Sequence, residues 1–272
     1  MASLILEQSM FYKKNPVKIL PVKIHDQHGQ SGLYNILCGF TYAKERGAQV
    51  INASFGYYAL KRFAADGSAL PDSSSLLLKE YIQYYLTETT GDEKPILLIT
   101  AAGNKDLQND DANEKALFTN AGLQPPQNLR NLDSVYFYPA SLAADPELPN
   151  VISVTTAELD SNAVSPIQNY SQNIVDLGVD ADMVFSDPSG NDKYSFKNPR
   201  IDRDFVDGSS YATPIAAGII ASHYNLIESS PTASSFNKNE IITLLLQPAR
   251  SLGQATTVGN KIKSGVLFHR SP

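Results

Sequence analysis

Residues 208–218 read GSSYATPIAAG. The glycine before the serines permits a tight turn, and the small residues behind them allow a helix to pack closely against its neighbours. Pro214 is compatible with that helix because it falls in the first turn. Free amides and the positive dipole end at such a helix N-terminus favour an anion that develops beside a serine. Ser209 or Ser210 is therefore a candidate nucleophile, although a serine here can also simply cap the helix.

A second polar group follows a buried strand. Ile96–Thr100 is a continuous apolar run, typical of a strand that is covered on both faces of a parallel sheet, and it leads directly into AAGN at residues 101–104. Ligands of parallel sheets bind beyond the carboxyl ends of the strands, where Asn104 would lie. An asparagine at such a position is often only a turn residue. A third segment of this kind, INASFG, spans residues 51–56, and chance is a poor explanation for all three together.

Strand and helix patterns alternate along the chain, which favours a parallel sheet covered by helices. The stretches 105–134 and 180–204 show no clear periodicity. We find no internal repeat and no linker, so we predict a single domain over residues 1–272. The predicted strands span residues 17–24, 49–53, 96–100 and 151–155, and the predicted helices span residues 33–46, 73–89, 210–227 and 239–246.

The composition limits the classes of function. With 272 residues, of which 42% are hydrophobic and 18% charged, the chain can bury a sizeable core. Its net charge of −6 argues against binding to nucleic acid, and no apolar run approaches the length of a membrane span. Cys38 is the only cysteine, which excludes an internal disulfide. No cofactor is expected to be required, although four acidic residues could bind a structural calcium ion or simply form a solvated loop: Asp106, Asp110, Asp111 and Glu114.

Taken in order, the three segments resemble the subtilisin family of serine proteases, with insertions, from about residue 17 to the C-terminus. GSSYATPIAAG is similar to the nucleophile motif of that family, AAGN to its oxyanion motif, and INASFG to one wall of its S1 subsite. YPA at residues 138–140 and NVISV at residues 150–154 are similar to the strand region that faces this wall. The resemblance implies an α/β fold of three layers with a mostly parallel central sheet, whose N-terminal strands and catalytic-histidine helix start are missing.

The resemblance also assigns roles to single residues. Ser210 would attack a peptide carbonyl of a polypeptide substrate, while the Asn104 side chain and the Ser210 backbone N–H would hold the oxyanion. Phe137 stands where the family often has a glycine at the base of S1, which predicts a shallow subsite that favours small side chains. The substrate-binding residues implied by the resemblance are Ser54, Phe55, Gly56, Ala102, Gly103 and Phe137.

A triad of this type takes aspartate, histidine and serine in chain order, yet neither the aspartate motif nor an HGTH-like motif occurs in the sequence. His25 and His28 are expected to be solvated turn residues, with a surrogate dyad as the alternative. His223 follows Ser210 by thirteen residues on one predicted helix, about 20 Å along its axis, and so cannot act as the base. His269 follows the serine, as in α/β-hydrolases, but no aspartate lies between them.

The first residues, MASLI, resemble the helix just after the catalytic histidine of the family. This predicts that the sequence begins inside the catalytic domain and that the chain alone is inactive. Three functions stay open: a protease domain without its N-terminal part, an inactive binding module with the subtilase fold, or an acyl hydrolase that uses Ser210 differently. Family members are commonly secreted or periplasmic, but any signal would lie in the missing part, so the compartment is unknown.

The resemblance places the strand that carries the aspartate between the strands at residues 17–24 and 49–53. The sequence does not contain that strand, and each buried unpaired backbone group would cost ~1–3 kcal/mol. We therefore expect that the slot does not stay open. Residues 1–16 or direct pairing would close it, a missing N-terminal segment would fill it, or a second copy would contribute a strand by self-association.

Overall fold

A computed structural model describes residues 1–13, 15–59, 62–63, 69–70, 73–88, 94–105, 115–116, 118–124, 128–188, 190, 192–201, 204–229, 237–247 and 252–269. The helices are α1 (Ala2–Tyr12), α2 (Leu33–Glu45), α3 (Ser73–Tyr81, continued by a π-helical turn at Ile82–Thr87), α4 (Ser209–Ser222), α5 (Tyr224–Glu228) and α6 (Lys238–Leu246), with a 3-10 turn at Ala140–Ala144. The strands are β1 (Val50–Ala53), β2 (Tyr57–Ala59), β3 (Arg62–Phe63), β4 (Ala69–Leu70), β5 (Leu97–Ala101), β6 (Tyr136–Tyr138), β7 (Val151–Glu158), β8 (Ala163–Val164), β9 (Leu177–Asp180), β10 (Met183–Ser186), β11 (Asp192–Lys197), β12 (Phe205–Asp207), β13 (Gly253–Gln254) and β14 (Gly265–Leu267).

The central sheet has the strand order β1-β5-β7-β9-β14-β13. Its strands from β1 to β14 run parallel, whereas β13 and the short β8 pair antiparallel to their neighbours. Every residue of β5 is buried, and β7 is buried up to its last residue. Such uninterrupted burial follows when helices cover both faces of a parallel sheet, and the predicted mostly parallel α/β fold is confirmed.

Two apolar layers lie on opposite faces of this sheet. Leu97 and Ile99 of β5 pack into one layer together with residues of α4 and α6. Ile96 and Leu98, which alternate with them along the same segment, pack into the other layer with residues of α2 and the helix around Ile82. Because successive side chains of a strand point to opposite faces, the sheet is the middle of three layers.

Most predicted elements are present within one or a few residues of their predicted ends, among them α2, β1, β5 and α6. The sequence analysis did not identify β9 and β14, which continue the parallel sheet, nor the antiparallel sheet of β10, β11 and β12, whose first two strands lie inside the stretch 180–204 and whose third follows it. Both omissions concern strands of three to six residues, whose pairing depends on partners that are distant in sequence. Within the described part of the chain, no helix is both long and apolar enough to cross a bilayer.

The prediction of a strand at residues 17–24 is wrong, because no residue of this segment pairs with the sheet. The expectation that the chain closes its own slot is also wrong. Helix α1 packs on α4 instead of entering the sheet, and a cavity of about 960 Å³ separates residues 15–22 from β1. The edge of β1 lines this open cavity. Its unpaired backbone groups are therefore not buried, and the free-energy cost of burying an unpaired group does not apply to them. Whether a second copy or another segment enters the slot stays a prediction.

Candidate active site

The serine segment forms the start of α4. The N-cap residue of the helix is Gly208, with φ +117°, a backbone conformation that strongly favours glycine. The simpler interpretation of Ser209 or Ser210 as a helix cap is therefore wrong. A Cβ at Gly208 would lie 2.8 Å from Nδ2 of Asn104. The glycine thus lets the asparagine side chain approach the helix N-terminus.

Asn104 and Ser209 are joined through the asparagine oxygen. Ser209 donates to Oδ1 of Asn104 from its backbone N–H at 2.8 Å and from its hydroxyl at 2.9 Å. A backbone N–H can only donate, so the atom that it meets is the oxygen, and the Asn104 amide nitrogen lies on the Gly208 side. The buried Ser209 hydroxyl also accepts from the N–H of Gly103 at 3.0 Å. Ser209 therefore orients the asparagine.

Ser210 is only partly buried, in contrast to Ser209, and its hydroxyl lies 3.4 Å from the carbonyl oxygen of Ser54. Its backbone N–H lies in the first turn of α4, where helix amides have no intrahelical acceptor. The helix dipole adds a partial positive charge at the same point. The structure thus brings three of the predicted site residues together: Ser210, Asn104 and Ser54.

The ring of Phe137 fills the space between two other predicted segments of the site, residues 54–56 and residues 102–103. Its ring would collide with a Cβ at Gly56 and would lie 2.8 Å from a Cβ at Gly103, so both positions require glycine. The neighbouring Ala102 is fully buried at the end of the strand that leads to Gly103. Tyr58 packs edge-on against the Phe137 ring at a centroid distance of 4.9 Å. The aromatic ring therefore occupies the cleft between residues 54–56 and 102–103.

The comparisons with known proteins identify the family of the chain. A family model described as Peptidase S8, subtilase family, matches residues 14–263. The chain belongs to the subtilase family. None of the curated proteins matches the chain by sequence.

Solved structures of several proteases share the fold. A lanthipeptide protease is 18% identical, with a TM-score of 0.55 over 98% of this chain and 72% of that chain. The epidermin leader peptide processing serine protease EpiP from Staphylococcus aureus is 19% identical, with a TM-score of 0.54 over 97% of this chain and 60% of that one. The nisin leader peptidase NisP from Lactococcus lactis is 18% identical, with a TM-score of 0.51 over 86% of this chain and 61% of its own.

All four histidines of this subtilase lie in the described residues, and none of them hydrogen-bonds to Ser210. His25 packs edge-on against Phe55, with ring centroids 5.7 Å apart. The exposed His28 bonds to the side chain of Gln27. The two remaining histidines are occupied elsewhere. The ring of His223 contacts the carbonyl of Ile219 in its own helix at 2.8 Å, and Nε2 of His269 lies 3.0 Å from Asp182.

The cleft is supported by three further residues, none of which the sequence analysis identified: Asn169, Tyr58 and Lys105. The buried Asn169 donates to the carbonyl of Ala102 at 2.9 Å and bonds to the hydroxyl of Tyr58, so it holds the wall at residues 102–103. Lys105, which is fully buried beside Asn104, places its amine 5.3 Å from the centre of the Tyr58 ring. A lone asparagine and a lone lysine carry no motif in the sequence, and only the fold shows their position.

The predicted calcium residues Asp106, Asp110, Asp111 and Glu114 lie outside the described residues. Among the residues that the structure does describe, no three His, Cys, Asp or Glu side chains are grouped so that they could hold a metal ion.

Proposed function

We propose that this subtilase chain carries the nucleophile and the oxyanion site of a serine endopeptidase, and that the chain alone is inactive. The Asn104–Ser209 pair is the observation that carries the proposal. Ser209 holds the side-chain oxygen of Asn104. The amide nitrogen of Asn104 therefore lies beside Gly208, at the helix N-terminus that also carries Ser210. Preorganised donors of this kind stabilise the oxyanion of a tetrahedral intermediate.

The proposed reaction is acyl transfer. The Ser210 oxygen would attack the carbonyl carbon of a polypeptide, and the peptide C–N bond would break as the new ester forms. The hydroxyl proton would pass to a base and then to the leaving amine, and water would later hydrolyse the ester. The Ser210 hydroxyl hydrogen-bonds to the carbonyl of Ser54, which cannot take up the proton, and to none of the histidines. Without a base, an ordinary alcohol is a poor nucleophile.

Phe137 supports a proposal about the substrate. Its ring occupies the cleft between Gly56 and Gly103, where the side chain before the scissile bond would enter. We infer a shallow S1 subsite that accepts small side chains. This preference would arise from packing alone. Its size follows from the value of one methylene in a hydrophobic pocket, about 1–3 kcal/mol.

The test uses imidazole as an external base with an activated ester, acetyl-alanine p-nitrophenyl ester. The rate of the chain is compared with that of Ser210→Ala at each imidazole concentration, which removes the hydrolysis due to imidazole itself. We expect the chain to hydrolyse the ester faster than this background. Mass spectrometry should detect an acetyl-alanyl group on Ser210. The exposed control Ser229→Ala should have the same rate as the original chain. Without imidazole we expect the chain and Ser210→Ala to be equal.

Asn104→Asp separates the oxyanion role from the structural role. The carboxylate keeps the acceptor for Ser209 but lacks the N–H donor, so the fold should persist. Loss of one such donor costs about 10²–10³ in turnover, a magnitude known from this same family. If the imidazole-dependent rate is the same in Ser210→Ala, the acyl-transfer proposal fails and the non-catalytic binding module remains. A Ser210-dependent rate without imidazole would contradict inactivity, and His25→Ala would then test the histidine beside Phe55.

A further inference from the structure

The two walls of the cleft around Phe137 are joined by a hydrogen bond. Tyr58 lies on β2, which directly follows the wall at residues 54–56, and it stands opposite Phe137 in the antiparallel pair of β2 and β6. Its hydroxyl donates to Oδ1 of Asn169 at 2.9 Å. Asn169 in turn holds the other wall through the carbonyl of Ala102. The bond therefore links the two segments between which the Phe137 ring lies.

All the polar groups of Asn169 are committed to this arrangement. Its backbone N–H donates to the carbonyl of Gly103 at 3.0 Å, and its side-chain amide donates to the carbonyl of Ala102 at 2.9 Å. Its own carbonyl accepts from the Thr155 hydroxyl of β7 at 2.9 Å, and its side-chain oxygen accepts from Tyr58. A fully buried residue whose polar groups are all paired is held in one position. It thereby fixes the two successive carbonyls that precede the oxyanion residue.

The wall at residues 102–105 also pairs with the segment that carries this asparagine. The N–H of Lys105 donates to the carbonyl of Ile167 at 2.7 Å, and Asn104 forms an antiparallel bridge with Gln168. These bonds hold the wall from one side only. The tyrosine hydroxyl, which also lies 3.4 Å from the carbonyl of Asn104, connects it with the opposite wall.

The same tyrosine limits the movement of Phe137. The rings of Tyr58 and Phe137 pack edge-on with their centroids 4.9 Å apart, and the Phe137 ring lies between Gly56 and Gly103. For a large substrate side chain to enter, this ring would have to move or the walls would have to part. The ring contact with Tyr58 opposes the first change, and the hydrogen bond to Asn169 opposes the second.

We propose that Tyr58 and Asn169 form a positioning pair that sets the spacing of the two walls and so restricts S1 to small side chains. This inference rests on the proposed function and names the residues that control its substrate class. Neither side chain reacts with the substrate, because both act through Phe137 and the wall at residues 102–103. Loss of the Tyr58 hydroxyl should leave the ring packing in place but release the walls from each other. A side chain larger than that of alanine would then enter S1 at a smaller cost.

The test is Tyr58→Phe, which removes the hydroxyl and keeps the ring. Tyr194→Phe is the matched control, because that hydroxyl also bonds to a side chain, Ser161 at 3.1 Å, in another part of the fold. Tetrapeptides that end in Ala or Phe are titrated against the original chain and both variants. We expect the original chain and Tyr194→Phe to share one preference for the Ala peptide, and Tyr58→Phe to lose about tenfold of it. A loss of stability alone would weaken both peptides equally and leave the ratio of the two affinities unchanged.

Hydrogen exchange supplies a readout that needs no peptide. The amides of Lys105 and Asn169 take part in the pairing of the wall with residues 167–169, and a local opening of the wall would expose them to solvent. In Tyr58→Phe both amides should exchange about fivefold faster, since one hydrogen bond that opposes opening is lost. Tyr194→Phe should leave their exchange unchanged.

Failure of the proposed function and failure of this inference have different signs. An original chain that binds neither peptide would overturn the S1 assignment and the positioning pair together. If the original chain prefers the Ala peptide and Tyr58→Phe keeps the same ratio, the positioning pair alone is overturned. Exchange at the two amides that is no faster in Tyr58→Phe than in Tyr194→Phe would overturn it as well.

Discussion

At the residue scale, two adjacent serines have different environments. Ser209 is buried and forms hydrogen bonds with Gly103 and Asn104, while Ser210, in the first turn of the helix, is only partly buried. The Ser209 hydroxyl has no exposed surface from which it could reach a substrate, and its hydrogen bonds commit it to holding Gly103 and Asn104. The packing thus supports Ser210, on physical grounds that are independent of the family motif.

Phe137 allows a prediction about specificity. Phe137→Leu should open space between Gly56 and Gly103, so that peptides ending in a large aromatic residue gain affinity relative to peptides ending in alanine. The gain should be about tenfold or more, since it reflects several apolar atoms. It can be measured by titrating tetrapeptides that end in Ala or Phe. Phe118→Leu is the matched control, because that phenylalanine is buried in the same apolar cluster. An equal preference in both variants would contradict the S1 assignment.

At the scale of elements, α1 is attached to the rest of the chain through α4. The two helices approach closely at Gly218, where a Cβ would lie 2.8 Å from the carbonyl oxygen of Ile5 and 3.0 Å from Cβ of Gln8. The first of these atoms belongs to the backbone and cannot rotate away. Packing at this point therefore requires glycine for its small size and not for its backbone conformation.

Gly218→Ala should consequently lower the free energy of unfolding by ~1–3 kcal/mol, the usual cost of overpacking. Urea denaturation followed by circular dichroism measures the change. Gly32→Ser is the control, because a side chain there meets no atom within 4 Å and a serine caps α2 at least as well as glycine does. Stability of Gly218→Ala equal to that of the original chain would mean that α1 shifts freely on α4.

At the scale of the whole molecule, one buried ion pair joins the sheet to α6. The amine of Lys238 lies 3.1 Å from the Asp176 carboxylate and also bonds to the carbonyl of Ala143. The same carboxylate accepts from the N–H of Ser153 at 3.0 Å. Burial raises the pKa of Asp176 and lowers the pKa of Lys238, while each partner opposes the shift of the other. The pair is costly to break because one buried charge would be left alone.

Lys238→Met should lower the free energy of unfolding at pH 7 by ~3–5 kcal/mol. With the lysine gone, the pKa of Asp176 rises further above its unfolded value, so the folded variant binds a proton more tightly than the unfolded chain does. The deficit should therefore shrink as the pH falls toward ~4, the ordinary pKa of aspartate. Urea denaturation of the variant and the original chain at several pH values tests this. The double variant Asp176→Asn/Lys238→Met should recover part of the loss, and a deficit independent of pH would contradict the argument.

The whole sheet also shows how far sequence patterns reach. The apolar run that became β5 and the helical spacing of α2 predicted their elements nearly to the residue, because burial and capping act locally. The β-rich stretch 17–24 has the composition of a strand but lacks a neighbour to pair with. Strand β9 contains Gly178, a weak strand former, and exists because β7 and β14 flank it.

The sequence by itself determined the family, the parallel sheet and the residues of the candidate site, because glycine turns, buried runs and a serine at a helix N-terminus are local patterns. Only the tertiary structure decided that Ser209 holds the Asn104 side chain by donating to its Oδ1, and that Phe137 lies between two glycines. It also decided that residues 15–22 line the cavity beside β1 without pairing with the sheet. These features depend on distances between segments that are far apart in the chain, and no local pattern encodes such distances.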